Sequence, residues 1–118
     1  MLVPMRAILD AADKNDYAQG AFNVNAECQV KAAVEIHELL RSPAIIQGAD
    51  LANGFMGGRT DFANSTLEDK KAGAKNIGNA VKKYGEDSTI PVALHLDHGR
   101  NFDSCVAAIE GGYTSVMI

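Results

Sequence analysis

Apolar positions along the chain follow two spacings, which predict a succession of helices and short strands. Segments with apolar residues every three to four positions are typical of amphipathic helices, and short continuous apolar runs are typical of buried strands. We predict helices over residues 5–14, 26–40, 65–84 and 102–110, and buried strands over residues 20–24, 44–47, 92–97 and 115–118. In the second helix Val30 and Val34 are expected to face inward, together with Ile36, Leu39 and Leu40.

Several residues punctuate this pattern. Pro43 ends the second helix, because a proline pushes the preceding residue out of the helical region. Ser65 and Glu68 fit a capping box that starts the third predicted helix, and Gly85 suits its carboxyl end. The stretch 50–64 contains three glycines and has no clear period. It is therefore predicted as a long loop, which is a frequent location of function.

The alternation of strands and helices favours an α/β fold. Strands that are apolar on both faces indicate a parallel sheet covered by helices. No repeat or linker divides residues 1–118, so they form one piece of a single domain with no internal boundary. An open sheet could be complete at this length, whereas a (β/α)₈ barrel of about 250 residues would be half present. In both folds the chemistry lies at the carboxyl ends of the strands, where Asn23, Gln47 and Asp97–His98 are expected.

Composition and charge exclude several classes of function. The 118 residues carry a formal net charge of -4, and the lysines and arginines form no dense block, so nucleic-acid binding has little support. Every apolar stretch is interrupted well before the roughly 20 residues that cross a bilayer, so membrane insertion is not expected. Cys28 and Cys105 show no CxxC spacing, and no secretory signal precedes them. We therefore expect reduced thiols and a cytoplasmic location.

Asp97, His98 and Gly99 end a buried strand and are the strongest candidates for chemistry. A neutral imidazole is a good zinc ligand, and a carboxylate can accept or donate a proton. Adjacent strand residues point to opposite faces, so the two side chains share a site only if the chain bends at Gly99. A zinc centre needs at least three protein ligands. His95 is predicted as a hydrogen-bonded buried residue and His37 as a surface residue, which leaves a structural role for His98 as the alternative.

Other polar groups allow two interpretations each. Asn23 and Asn25 point the same way on an extended segment and could bind a polyol or phosphate, or could cap the following helix. The glycines at 54, 57 and 58 could cradle a phosphate, although they match no established phosphate motif. Five lysines are predicted to form a solvated helix face rather than a binding patch: Lys70, Lys71, Lys75, Lys82 and Lys83.

Four segments together resemble the amino-terminal half of class II fructose-bisphosphate aldolases, which are zinc-dependent (β/α)₈ barrels. They are Gly20–Asn25, Ser42–Gln47, Val92–Gly99 and Gly112–Ile118. The resemblance runs in order over residues 1–118. Its most specific parts are Leu-His-Leu-Asp-His-Gly and Thr-Ser-Val-Met-Ile, which are also found in the tagatose-bisphosphate relatives. It implies a TIM barrel of which this chain covers about the first half, with four strands.

The resemblance also implies an activity and residue roles. The complete protein would cleave fructose 1,6-bisphosphate into dihydroxyacetone phosphate and glyceraldehyde 3-phosphate, with zinc as Lewis acid and no Schiff-base lysine. His98 would be the first zinc ligand, Asp97 would exchange a proton with the C4 oxygen, and Asn23 would line the substrate pocket. The alternatives are a tagatose-bisphosphate aldolase, another metal-dependent lyase or epimerase on the same barrel, and a non-catalytic half-barrel module.

Two departures from the family pattern concern substrate contacts and partners. Ala49 stands where the family usually has a serine that contacts the aldehyde-side substrate, and the stretch 55–71 is longer and more polar than in compact members.

The other zinc ligands and the phosphate loops of the family lie in its second half, so residues 1–118 alone are expected to be inactive. Two exposed sheet edges favour a homo-oligomer or association with the rest of the barrel.

Overall fold

The computed structural model describes all residues from Met1 to Ile118. The helices are α1 Met5–Lys14, α2 Glu27–Leu40, α3 Asp50–Met56, α4 Leu67–Gly85 and α5 Phe102–Glu110, with a 3₁₀ turn at Phe62–Asn64. The strands are β1 Ala21–Asn23, β2 Ala44–Ala49, β3 Val92–Asp97 and β4 Ser115–Val116. All eight predicted elements are present, and the bounds of α1 and α5 are those that the periodicity predicts.

The strands form one parallel sheet in the order β1-β2-β3-β4. Each strand therefore lies beside its neighbour in sequence, and each crossover contains at least one helix. An open doubly wound sheet reverses its strand order at a switch point, whereas a (β/α)₈ barrel adds strands in sequence. The topology confirms the predicted α/β fold with four strands arranged as in part of such a barrel.

The two faces of the sheet are covered differently. The main core lies between one face and helices α2, α4 and α5, and includes the buried side chains of Ile46 and Leu94. On the opposite face Ile45 and Ala93 pack against Ile8 of α1. Because neighbouring residues of a strand alternate between faces, β2 and β3 are apolar on both sides. The two central strands therefore have the burial that the sequence predicts.

The outer strands are not buried, contrary to the prediction. All three residues of β1 are exposed, and β4 is half-buried at Ser115 and exposed at Val116. These strands lie at the two edges of the sheet, where nothing in the chain covers them. On α2, Val30 and Val34 are buried as predicted, but the other apolar residues that were expected to face inward are exposed: Ile36, Leu39 and Leu40.

The predicted loop over 50–64 is wrong over Asp50–Met56, which form a helix that packs closely against α4. A Cβ atom on Gly73 of α4 would lie 1.7 Å from the Asn53 carbonyl oxygen, and one on Gly57 would lie 1.9 Å from the Asp69 carbonyl oxygen. Only glycine permits backbones to approach to this distance. The residues from Asp50 therefore form α3 against α4, and Gly57 serves this helix packing.

The capping box of α4 lies one residue later than predicted. Thr66 is the N-cap residue, and its Oγ1 accepts a hydrogen bond of 3.2 Å from the Asp69 amide. The Asp69 carboxylate in return accepts one of 2.8 Å from the Thr66 amide. The reciprocal arrangement is the one expected of a capping box, with aspartate in place of the usual glutamate. None of the helices of the chain combines the length and the apolar character that a membrane span requires.

Candidate active site at the carboxyl edge of the sheet

Asp97 and His98 lie at the carboxyl end of β3, where the backbone turns sharply. His98 has a φ of 53°, in the left-handed region that residues other than glycine seldom adopt. This turn ends the alternation of the strand, and it lies at His98 itself, one residue before the predicted bend. Asp97 Oδ1 and His98 Nε2 are 3.7 Å apart. The structure therefore brings the two predicted side chains to the same edge.

Gly99 has a packing role in this turn. A Cβ atom there would lie 2.8 Å from Leu96 Cδ2 and 2.9 Å from the Met117 carbonyl oxygen. The Gly99 amide donates a 2.9 Å hydrogen bond to that same oxygen, which ties the turn to the chain after β4. The strand end that carries Asp97 and His98 is thus held by its neighbour.

The exposure of the two side chains differs and suits different roles. The His98 side chain is 83% exposed and that of Asp97 is 19% exposed. An exposed imidazole has a nitrogen free to coordinate a metal or to bind a ligand, and a sheltered carboxylate is a suitable proton acceptor. The pair can therefore bind and exchange protons, although at 3.7 Å the two groups do not share a hydrogen bond.

The residues present fit a zinc site only in part. An exposed imidazole at a strand end is a donor that zinc accepts. However, no three histidine, cysteine or acidic side chains of the chain are grouped so that they could hold a metal ion. His37 is half-buried with its ring edge against Phe22, at a centroid distance of 5.2 Å, and not on the open surface as predicted. Residues 1–118 thus do not complete such a site by themselves.

A row of polar residues crosses the sheet just below this edge. The strand register places Asn23, Gln47, His95 and Ser115 side by side. His95 is buried, and its Nδ1 lies 2.8 Å from Ser115 Oγ. Burial lowers the pKa of His95, and the nearby Asp97 carboxylate opposes that shift. His95 is therefore a neutral, hydrogen-bonded structural residue, as predicted.

Asn23 ends β1 in an exposed position at the same side of the sheet. Neither it nor Asn25 caps helix α2, whose N-cap residue is Ala26 without a side-chain hydrogen bond. Instead the Asn25 amide donates a 2.7 Å hydrogen bond to the Gln29 side chain. The capping alternative for the two asparagines is wrong, and the Asn23 side chain is left without a structural partner.

A buried polar cluster beneath this edge was missed by sequence reasoning. Asp50, which follows β2 directly, is 2% exposed, and its Oδ2 lies 2.5 Å from Lys70 Nζ and 3.8 Å from Arg100 Nε. Its Oδ1 is buried without a partner. Lys70 is itself buried, so its prediction as a solvated lysine is wrong. The available signal was an acidic residue directly after an apolar strand.

Asn53 and Tyr113 extend this cluster toward β4. Both are buried, and the Tyr113 hydroxyl donates a 2.6 Å hydrogen bond to Asn53 Oδ1. Burial raises the pKa of the Tyr113 phenol, which therefore stays protonated and acts as a donor. The cluster joins α3 to the segment before β4 through this hydrogen bond.

Comparisons with known proteins agree with this arrangement. The sequence profile of class-II fructose-bisphosphate aldolases matches residues 3–118. A fructose-bisphosphate aldolase of Geobacillus stearothermophilus is 39% identical over 99% of the chain, and a 6-phospho-5-dehydro-2-deoxy-D-gluconate aldolase of Halalkalibacterium halodurans is 37% identical over 99% of it. The crystal structure of the YdjI aldolase from Escherichia coli K12 superposes with a TM-score of 0.74 at 26% identity over 98% of the chain.

The chain spans only part of these proteins. It covers 36% of the length of each of the two relatives and 38% of the crystallised aldolase. Its sequential parallel sheet thus corresponds to a part of an aldolase barrel. Because the profile covers nearly every residue, this chain belongs to the class-II fructose-bisphosphate aldolase family.

Proposed function

We propose that residues 1–118 form the amino-terminal half of a single (β/α)₈ aldolase domain and contribute Asp97 and His98 to its active site. The observation that carries the proposal is the turn at His98, which presents an exposed imidazole beside a sheltered carboxylate at the carboxyl edge of the sheet. That edge is where barrel enzymes place their chemistry.

The roles of the residues are those that the resemblance to the aldolase family implies for these positions. His98 supplies one nitrogen ligand to a zinc ion whose remaining ligands lie outside this chain, and Asn23 offers its amide to a hydroxyl of the sugar phosphate. Asp97 takes the proton from the C4 hydroxyl during cleavage and returns it during condensation. The chemistry that bound zinc supplies is Lewis-acid polarisation of the substrate ketone.

The proposed reaction is reversible cleavage of fructose 1,6-bisphosphate to dihydroxyacetone phosphate and glyceraldehyde 3-phosphate. Relatives named for fructose bisphosphate and for 6-phospho-5-dehydro-2-deoxy-D-gluconate are about equally similar to the chain. The second compound is therefore an alternative candidate substrate, as is tagatose 1,6-bisphosphate. All are phosphorylated sugars or sugar acids that a class II aldolase can cleave by the same proton transfer.

The experiment that tests this function is a cleavage assay on the complete aldolase subunit that contains the chain, with each of the three substrates. One of them is expected to turn over, and Asp97→Asn is expected to lower kcat by 10²-fold to 10⁴-fold, the usual contribution of a positioned acid or base. Asp103→Asn, an exposed acidic residue on α5, is the matched control and keeps normal kcat. Normal turnover of Asp97→Asn would contradict the proposal.

Residues 1–118 alone are proposed to be inactive, because one imidazole does not make a zinc centre. Their two uncovered sheet edges need partners, which the rest of the barrel or a second subunit would supply. A non-catalytic half-barrel module remains the alternative. It would bind partners through these edges and show no turnover in any complete assembly. A cytoplasmic location is part of the same proposal.

A further inference from the structure

The Arg100 side chain lies beside the candidate active site and has hydrogen-bonding capacity that the chain does not use. It follows His98 by two residues, so their Cα atoms are at most about 7 Å apart. Its side chain is 53% exposed, and its one ionic contact, from Nε to Asp50 Oδ2, measures 3.8 Å. That distance is too long for a hydrogen bond. The guanidinium donors of Arg100 are therefore free to bind another group.

The one carboxylate in ionic contact with Arg100 is shared with a second cation. The buried carboxylate of Asp50 is already paired with Lys70 at 2.5 Å, so one negative group faces two cations. The acidic residues on either side of Arg100 in the sequence, Asp97 and Asp103, form no ion pair with it. Within the group formed by Asp50, Lys70 and Arg100 there are two cations and one carboxylate, and Arg100 is its half-exposed member.

The position of Asp50 determines which side of the guanidinium remains available. Asp50 is 2% exposed, and its ionic contact is with the Nε atom of Arg100 and not with the outer guanidinium nitrogens. The outer nitrogens of a guanidinium form the planar fork that binds phosphate or carboxylate through two parallel hydrogen bonds. The outer nitrogens of Arg100 are therefore available to such a ligand while Nε keeps its contact with Asp50.

We propose that Arg100 binds a phosphate group of the substrate held at Asp97 and His98, and that Asp50 positions it. The inference rests on the proposed function, since it assigns a substrate contact to the same edge. It makes Arg100 a determinant of substrate choice, because sugar phosphates and phosphorylated sugar acids place their anionic groups differently.

The test uses the complete aldolase subunit in the direction of condensation. Dihydroxyacetone phosphate is joined either to glyceraldehyde 3-phosphate or to uncharged glyceraldehyde, and Arg100→Gln is compared with the unsubstituted protein. If Arg100 binds the aldehyde half, KM for the phosphorylated aldehyde rises at least tenfold while KM for glyceraldehyde is unchanged. If it binds the ketone half, KM for dihydroxyacetone phosphate rises at least tenfold with either aldehyde. Changes below twofold in all three KM values would overturn the proposal.

Two further variants separate binding from structure. Arg59→Gln, an exposed arginine between α3 and α4, is the matched control and leaves all KM values unchanged. Arg100→Lys keeps the charge but lacks the fork, so its KM is expected to fall between those of the unsubstituted protein and Arg100→Gln. Loss of folding in both Arg100 variants would assign the residue a structural role and contradict the proposal.

A binding measurement distinguishes failure of this inference from failure of the proposed function. Calorimetric titration of the same subunit with inorganic phosphate is expected to show binding that Arg100→Gln weakens at least tenfold. Absence of condensation with every aldehyde would remove the proposed function, and the titration would still decide the role of Arg100. Equal phosphate affinity of the two proteins would overturn it.

Discussion

Replacement of Lys70 by methionine tests whether the buried ion pair with Asp50 holds the carboxyl edge together. Methionine keeps the length and apolar stem of the lysine but removes its charge. The Asp50 carboxylate then stays buried with one oxygen already lacking a partner, and only Arg100 remains within 4 Å of it. Removing one member of a buried pair costs about 3–5 kcal/mol, since it leaves an uncompensated charge.

Arg100 reduces this cost. It approaches the same Asp50 oxygen at 3.8 Å from a half-exposed position, so it offsets part of the lost interaction. We therefore expect Lys70→Met to lower the free energy of unfolding by about 3 kcal/mol, at the lower end of that range. The measurement is urea denaturation followed by circular dichroism.

Two comparisons make this result specific. Lys75→Met, on an exposed position of the same helix, is expected to stay within about 0.5 kcal/mol of the unsubstituted chain. The double variant Asp50→Asn with Lys70→Met removes both charges and should recover more than half of the loss, because no bare charge remains. A Lys70→Met variant as stable as Lys75→Met would refute the reasoning.

Three further outcomes are expected. Gly73→Ala should lower the free energy of unfolding by about 3 kcal/mol or more in urea denaturation, because the added Cβ atom would collide with the backbone of α3. Gly85→Ala is the control and should be tolerated, because its Cβ atom would make only ordinary contacts near 3.4 Å. Hydrogen bonds from the Ser88 and Thr89 hydroxyl groups hold the pKa of the Glu38 carboxyl below its usual range. The stabilisation that ionised Glu38 provides is therefore present above about pH 4.3 and is lost as pH falls through the lowered pKa. The stability difference between Glu38→Gln and the unsubstituted chain should therefore shrink in acid denaturation below pH 4, while Glu35→Gln, which loses only a 3.7 Å surface contact, should differ little at any pH. Residues 1–118 alone should show no aldol cleavage in a coupled triose-phosphate assay; turnover by them would contradict the incomplete ligand set.

The spacing of apolar residues was enough to predict the helices and strands whose ends are set by nearby residues. Helices α1 and α5 have strong apolar periods and clear ends, so their bounds follow from the sequence. Asp97 and His98 were predicted at a strand end because an apolar run stops there beside a glycine. The alternation of element types predicted a parallel sheet, whereas the sequential strand order was implied by the family resemblance and not by the pattern.

Features that depend on distant residues could not be predicted in this way. Helix α3 contains a glycine that lowers helix propensity. It packs closely against α4 because Gly73 of α4 and Gly57 at the end of α3 let the two backbones approach. The burial of Lys70 depends on Asp50, twenty residues earlier in the chain. The exposure of β1 depends on whether another strand or helix covers the edge of the sheet, and the amino-acid composition of β1 does not determine this.

The zinc content of the complete aldolase subunit tests the central claim most directly. His98→Ala should lose most of its zinc together with its cleavage activity, because the exposed imidazole is a ligand. Asp97→Asn should keep its zinc and lose turnover, because the carboxylate moves the proton. A His98→Ala subunit that retains one zinc ion and normal turnover would contradict the account.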